Sequence, residues 1–307
     1  GSLSYMFNTY YDSDLAFSDI LKRAMEKGYT EPDPREDLNG NDVARKLLIL
    51  ARELDLKNEF EDIRIENLIP KQLRAIPKAE FLFTTLKKSG VDPFDLSYLD
   101  FGTGTGYFVS ALKKVGAENI RGTEVSKTQV ELGNRMIGED IIEIQKLEET
   151  ESILRTTTAN VVSMIGVLEH LQHPRVALKA IKENDSIQFF FISVPTFSLS
   201  VFLELLSPKV FHRQLSSGHT HNYTEESLNY LANEFDFNII GEWWLGSDIV
   251  DLYRHLSVNL HQLNTSDFMI KKFNQDFVPI IDALQSEIDK KHYSCQVHIL
   301  FQKNRFK

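Results

Sequence analysis

A single cysteine, Cys295, stands among 307 residues, so no disulfide can form within the chain and a reducing, cytoplasmic setting is expected. Long apolar runs are missing too. Stretches such as Phe189-Phe190-Phe191-Ile192, extended by Val194, fall far below the roughly 20 residues that cross a bilayer. The opening residues lack a secretory-signal pattern. Basic residues are in deficit: 34 Lys and Arg face 44 Asp and Glu, for a net charge of −10. A broad surface for nucleic acid needs the reverse balance and is disfavoured. Pairs such as Lys87-Lys88, Lys113-Lys114 and Lys290-Lys291 read as solvated helix ends. Neither an internal repeat nor a low-complexity tract is found. What the chain does have is a 42% apolar content, enough for a normal core, and a length that suits two units.

The most specific local pattern is Asp100-Phe101-Gly102-Thr103-Gly104-Thr105-Gly106-Tyr107-Phe108, placed between a strand-like run ending at Leu99 and a helix-like one. Glycines at every second position remove Cβ atoms where a backbone must turn sharply and let a ligand approach its amides. The spacing G-x-G-x-G, with an acid at the strand's end, departs from the dinucleotide fingerprint G-x-G-x-x-G. It points to S-adenosylmethionine (SAM), whose sulfonium and ammonium want carboxylates. A second acid, Glu124, closes the next strand, Asn119-Ile120-Arg121-Gly122-Thr123-Glu124, where a ribose would be held. A third segment, Val161-Val162-Ser163-Met164-Ile165-Gly166-Val167-Leu168-Glu169-His170-Leu171, is a buried strand running into a polar turn.

Taken in order, D-F-G-T-G-T-G-Y-F, G-T-E-V-S and V-L-E-H-L resemble the successive motifs of class I SAM-dependent methyltransferases, from about residue 92 to the C-terminus. The run Phe211 to Thr224 is similar to the substrate-side segment of a subgroup found beside sugar and surface-polysaccharide genes. The resemblance implies a Rossmann-like α/β sheet, mostly parallel with an antiparallel edge strand. It implies that Asp100, Gly102, Gly104 and Gly106 hold the methionine part of SAM and Glu124 its ribose. Val167 and Glu169 would border the cofactor and His170 the methyl group, while His212, Arg213 and Tyr223 would contact the acceptor, a sugar, sugar nucleotide or other small polar metabolite.

A different resemblance marks the other end. Gly28-Tyr29-Thr30-Glu31-Pro32-Asp33-Pro34-Arg35-Glu36-Asp37-Leu38-Asn39-Gly40-Asn41-Asp42-Val43-Ala44-Arg45-Lys46 closely resembles the catalytic domain of homoserine dehydrogenases, and the likeness spans residues 1 to about 75. It implies that Glu31 and Asp37 contact homoserine and that Asp42 and Lys46 flank the carbon exchanging hydride. From the residues alone, Asp42 and Lys46 are i, i+4 neighbours on a helix, a pair stabilising by roughly 0.2–0.5 kcal/mol. Val43, Leu47, Leu50, Ala51 and Leu54 read as its apolar stripe. Without a nucleotide-binding domain ahead of it, this mainly helical segment reads as a fragment left by gene fusion, truncation or assembly, with residues 76–91 a linker and 92–307 the methyltransferase domain. Homoserine dehydrogenase activity and a non-catalytic SAM-fold module remain the alternatives.

Periodicity predicts helices over 108–115, 126–136 and 175–183 and strands over 120–124, 141–145, 161–165 and 187–194, with 237–245 and 294–302 pairing antiparallel at the sheet's edge. A helix over 268–290 is expected to break near Pro279. Phe197, Leu199, Val201, Phe202, Leu205 and Leu206 form an apolar stretch suited to a lid or to core packing. Among the nearby histidines, His219 and His221 alternate without a companion acid or cysteine, so no metal is expected. His170, His219 and His221 are the candidates for a general base, since a neutral imidazole suits proton removal from a hydroxyl acceptor.

Overall fold

A computed structural model describes residues 2–11, 17–30, 38, 44, 47–49, 71–207, 214–215, 218–263 and 265–304. The chain divides into two units, residues 1–73 and 74–307. In the first, helices α1 (Ser2–Tyr11) and α2 (Phe17–Glu26) bury Met6, Ile20 and Ala24 with Leu38. Gly28, at φ +66°, ends α2 by accepting the left-handed conformation, and Tyr29 N–H closes back on the Ala24 carbonyl at 2.9 Å. Leu47 is 54% exposed while Ala44 and Leu48 are buried, so the buried face is turned one residue from the predicted stripe. Val43, Leu50, Ala51 and Leu54, and the dehydrogenase-like Glu31, Asp37, Asp42 and Lys46, lie outside the described residues.

The second unit carries a sheet in the order β3-β2-β1-β4-β5-β7-β6. Its strands are β1 (Ser97–Phe101), β2 (Asn119–Glu124), β3 (Ile142–Ile144), β4 (Val161–Ile165), β5 (Phe189–Pro195), β6 (Phe237–Leu245) and β7 (Gln296–Lys303). The first five pair in parallel. β7 runs antiparallel to both β5 and β6, the predicted antiparallel pair at the edge of a Rossmann-like sheet. Helices α4 (Tyr107–Lys114), α5 (Lys127–Ile137), α6 (Thr150–Thr156) and α7 (Pro174–Glu183) connect the parallel strands. Ser126 caps α5 by accepting the Gln129 N–H, as its sequence position predicts.

β5 shows why an all-apolar strand is stable here. Successive side chains point to opposite faces, so Phe190, Ile192 and Val194 join one core layer and Phe189 and Phe191 the other. The second layer also takes Ala79, Leu82, Phe83 and Leu86 of α3 (Lys71–Lys88). Residues 76–91 are therefore no linker: most of them form a core helix, with apolar residues spaced 0, 3, 4 and 7 along one face. Beyond β5 lie α8 (Leu199–Leu206), α9 (Glu225–Glu234) and α10 (Asp248–Gln262). The expected long C-terminal helix is α11 (Asp267–Phe277) and α12 (Ile281–Asp289), parted by a 3-10 turn containing Pro279. Among the described residues no helix is long and apolar enough to cross a membrane.

Candidate active site

Strand order reverses between β1 and β4, and a crevice at the carboxyl ends of those strands is the place such sheets bind ligands. The glycine loop starts there. Gly102, Gly104 and Gly106 sit at φ +70°, +59° and +73°, where side chains with a Cβ are strained. Their surroundings differ. A Cβ on Gly102 would lie 2.7 Å from Val167 Cγ2, and one on Gly106 would lie 2.5 Å from Ile142 Cδ1. On Gly104 it would meet only the flexible tip of Gln129, at 3.2 Å. Two of the glycines thus serve packing, and the middle one presents the open side of the loop.

Two carboxylates flank the loop. Glu124 Oε2 accepts the Gly104 N–H at 2.9 Å, and Oε1 accepts those of Val125 and Ser126, also at 2.9 Å. The loop is thereby latched to the end of β2, with about one of the carboxylate's four acceptor positions left over. Asp100 is 1% exposed and accepts a hydrogen bond from Ser163 Oγ at 2.7 Å. Burial pushes its pKa up to about 6, against hydrogen bonding and the nearby Lys78 ammonium, which favour the charged form. A buried carboxyl in this condition is a site that gains from a cation.

Lys78 was missed in the sequence because its helix reads as a linker. Burial lowers its pKa, and the negative charges of Asp100 and Glu169 oppose the shift. His298 was missed as well, although a histidine inside the apolar run Val297 to Phe301 is a signal. It is fully buried, neither ring nitrogen has a hydrogen-bond partner among the described residues, and burial, then Lys78, drives its pKa down to about 3.

The turn after β4 supplies the opposite wall. Gly166, at φ +68°, leads through the half-buried Val167 into a 3-10 turn, Leu168–His170. Glu169 is 3% exposed; burial raises its pKa, and its Oε2 has no hydrogen-bond partner among the described residues. Its main-chain carbonyl accepts Thr220 N–H and Thr220 Oγ1–H, each at 2.8 Å, and His221 N–H at 3.2 Å. That stitching brings two of the predicted bases, His170 and His219, together and ties the main chain of the third, His221, to the same turn. His170 Nδ1 lies 3.0 Å from the Gly218 carbonyl, His219 Nδ1 lies 3.0 Å from the Gln214 carbonyl, and the two rings are 4.9 Å apart. The acid that the histidines lack in sequence comes from this turn: ligating atoms of Glu169, His170 and His219 lie within 4.8 Å of one another.

His221 Nδ1 is 2.8 Å from Thr220 Oγ1, and its ring stacks on Tyr223 at 6.2 Å. Tyr223, expected at the acceptor, is buried in the core, with its backbone bonded to Pro195 at the end of β5 and to Phe197 just beyond it. Those backbone bonds fasten the histidine segment to the end of β5. Asn222 beside it keeps buried Oδ1 and Nδ2 atoms with no partner among the described residues. His212 and Arg213 lie outside the described residues. The apolar stretch after β5 is split: Val201 and Leu203 of α8 are buried, whereas Phe197, Phe202, Leu205 and Leu206 are exposed.

Known proteins resemble both parts of the chain. Solved structures similar to it include the methyltransferase domain of bacterial CtHen1-C, 15% identical with a TM-score of 0.46, covering 75% of this chain and 98% of that one. Another is magnesium protoporphyrin IX methyltransferase from Synechocystis PCC 6803, 12% identical with a TM-score of 0.48, covering 88% and 98%. The fold assignment rests on the strand order itself. In sequence, the chain is 50% identical over 80 residues to bifunctional aspartokinase/homoserine dehydrogenase 2 of Zea mays, 26% of this chain and 9% of that protein. It is 35% identical over 147 residues to homoserine dehydrogenase of Emericella nidulans, 46% of this chain and 38% of that protein. The chain thus spans only a small part of these relatives. The homoserine dehydrogenase family model matches residues 1–188, running past residue 75 through β1 to β4, and with more than half of its length matched the chain belongs to that family.

Proposed function

We propose that residues 74–307 form a methyltransferase that draws its methyl group from SAM and places it on an oxygen of a sugar or another small polar acceptor. One observation carries this reading: a glycine loop at the strand-order reversal that starts from the buried Asp100 and whose Gly104, approached only by the side-chain tip of Gln129, is bonded to the buried Glu124. The residues fit the cofactor. Asp100 gains its charge most easily beside a cation, and Glu124 keeps one acceptor position for a ribose hydroxyl. When bound, SAM supplies an electrophilic methyl group on a sulfonium.

The chain's own task is to align the acceptor, exclude water and take up a proton. Asn222 offers unpartnered amide atoms to a hydroxyl-rich acceptor, and His212 and Arg213 are proposed to contact it from the same segment. Thr220 Oγ1–H is committed to the Glu169 carbonyl, so in its contact with His221 the hydroxyl accepts and Nδ1 donates. Nε2 of His221 is then the bare nitrogen, and it takes the acceptor's hydroxyl proton as the new O–C bond forms. Calorimetric titration of the full chain with SAM is expected to show saturable binding at one site, followed by transfer of labelled methyl to a member of a sugar and sugar-nucleotide panel. Absence of SAM binding overturns the reading, and binding without turnover favours a non-catalytic module.

The family match favours a second reading for the first unit, in which Glu31 and Asp37 contact homoserine and Asp42 and Lys46 flank the reacting carbon. NADPH-dependent reduction of aspartate semialdehyde by the chain tests it.

A further inference from the structure

We propose that Glu169, His170 and His219 bind a divalent first-row transition cation through the carboxylate and the two Nε2 atoms. The three donors come from segments 50 residues apart, yet one carboxylate oxygen and one ring nitrogen of each histidine lie within 4.8 Å of one another. Carbonyl oxygens can only accept, so the contacts with Gly218 and Gln214 assign the proton to Nδ1 of each ring and leave Nε2 with a free lone pair. Metal-bound histidines are oriented in this way, by donating the other nitrogen's hydrogen to a carbonyl or carboxylate. The third donor has been taken out of water with one carboxylate oxygen left unpaired. Glu169 is buried and its Oε2 has no hydrogen-bond partner among the described residues, while a main-chain hydrogen bond, the neighbouring His170 and His219 and the partly desolvated Lys78 favour its charged form.

Two imidazoles and one carboxylate suit zinc, cobalt, nickel, iron or manganese better than magnesium or calcium, which prefer all-oxygen shells. Three protein donors leave coordination positions open. His170 is exposed, which provides a way in. The cation site stands independently of the methyl-transfer reading. Its proposed use rests on that reading: an acceptor hydroxyl held at an open position becomes more acidic and gives up its proton more readily.

The test is titration of the chelator-stripped full chain with Co²⁺, followed by ligand-field absorption and calorimetry. One equivalent is expected to bind with visible bands, and Glu169→Gln and His170→Gln are each expected to weaken affinity by at least about tenfold. Glu169→Gln conserves shape and His170 is exposed, so both variants should fold, as circular dichroism will show. His261→Gln, on α10, serves as the control and should bind as the parent does. Failure of the parent to bind, or equal affinity in all three variants, overturns the site. Titration with SAM on the same metal-free samples separates the claims. Cobalt binding without SAM binding overturns methyl transfer and upholds the cation site; SAM binding without cobalt binding does the reverse.

Discussion

Asp100 holds the most informative charge in the molecule, and its titration yields a signed prediction. Its folded pKa, about 6, lies above the usual 3.8, so between those values the folded state binds more protons than the unfolded one. This group's contribution to stability is therefore fully present below 3.8 and is lost as pH rises through 6. Asp100→Asn should flatten the pH dependence of the melting temperature between about pH 4 and 7. A cationic ligand reverses the preference, so SAM affinity should rise as pH increases through 6, and that rise should vanish in Asp100→Asn by calorimetry. The glycines separate folding from binding in the same loop. Gly106→Ala combines left-handed strain of about 1–2 kcal/mol with overpacking against Ile142 of about 1–3 kcal/mol, readable in urea denaturation. Gly104→Val incurs mainly the strain yet should abolish SAM binding, because its side chain occupies the loop's open side.

Elements place these residues, and α3 is the one whose importance is least apparent from sequence. Pro77 and flanking charges make the stretch look like a connector, but Ala79, Leu82, Phe83 and Leu86 share one face and enter the core layer of Phe189 and Phe191. Leu82→Ala should cost about 2–5 kcal/mol by equilibrium unfolding, whereas a linker residue would cost nearly nothing. The same helix carries Lys78, whose ammonium is influenced by the charges of Asp100 and Glu169, which is why misreading an element also hides a site residue. By contrast, β4, β5, β6 and the cap of α5 were legible, since alternation, an unbroken aromatic run and a serine before a helix are local signals. The limits of β2, β3, β5 and β7 shift by a residue or two because strand ends depend on the neighbour they pair with.

At the scale of the whole molecule, a homoserine dehydrogenase sequence signature and a Rossmann-like sheet with a G-x-G-x-G loop occupy one chain. Under the proposed division of labour, Lys46→Ala should leave SAM affinity unchanged within about twofold while removing any reduction of aspartate semialdehyde. A parallel loss of SAM binding would show the two parts to be coupled. The sequence by itself determined the α/β class, the glycine loop, the two flanking acids and the kinship of the N-terminal segment. All of these are written in residues adjacent along the chain, where steric limits on φ and the alternation of apolar side chains act directly. Only the tertiary structure decided that Glu169 meets His170 and His219, that Lys78 and His298 join the same interior, and that Tyr223 turns into the core. Those meetings join segments distant in sequence through packing and main-chain hydrogen bonds, and no local periodicity encodes them.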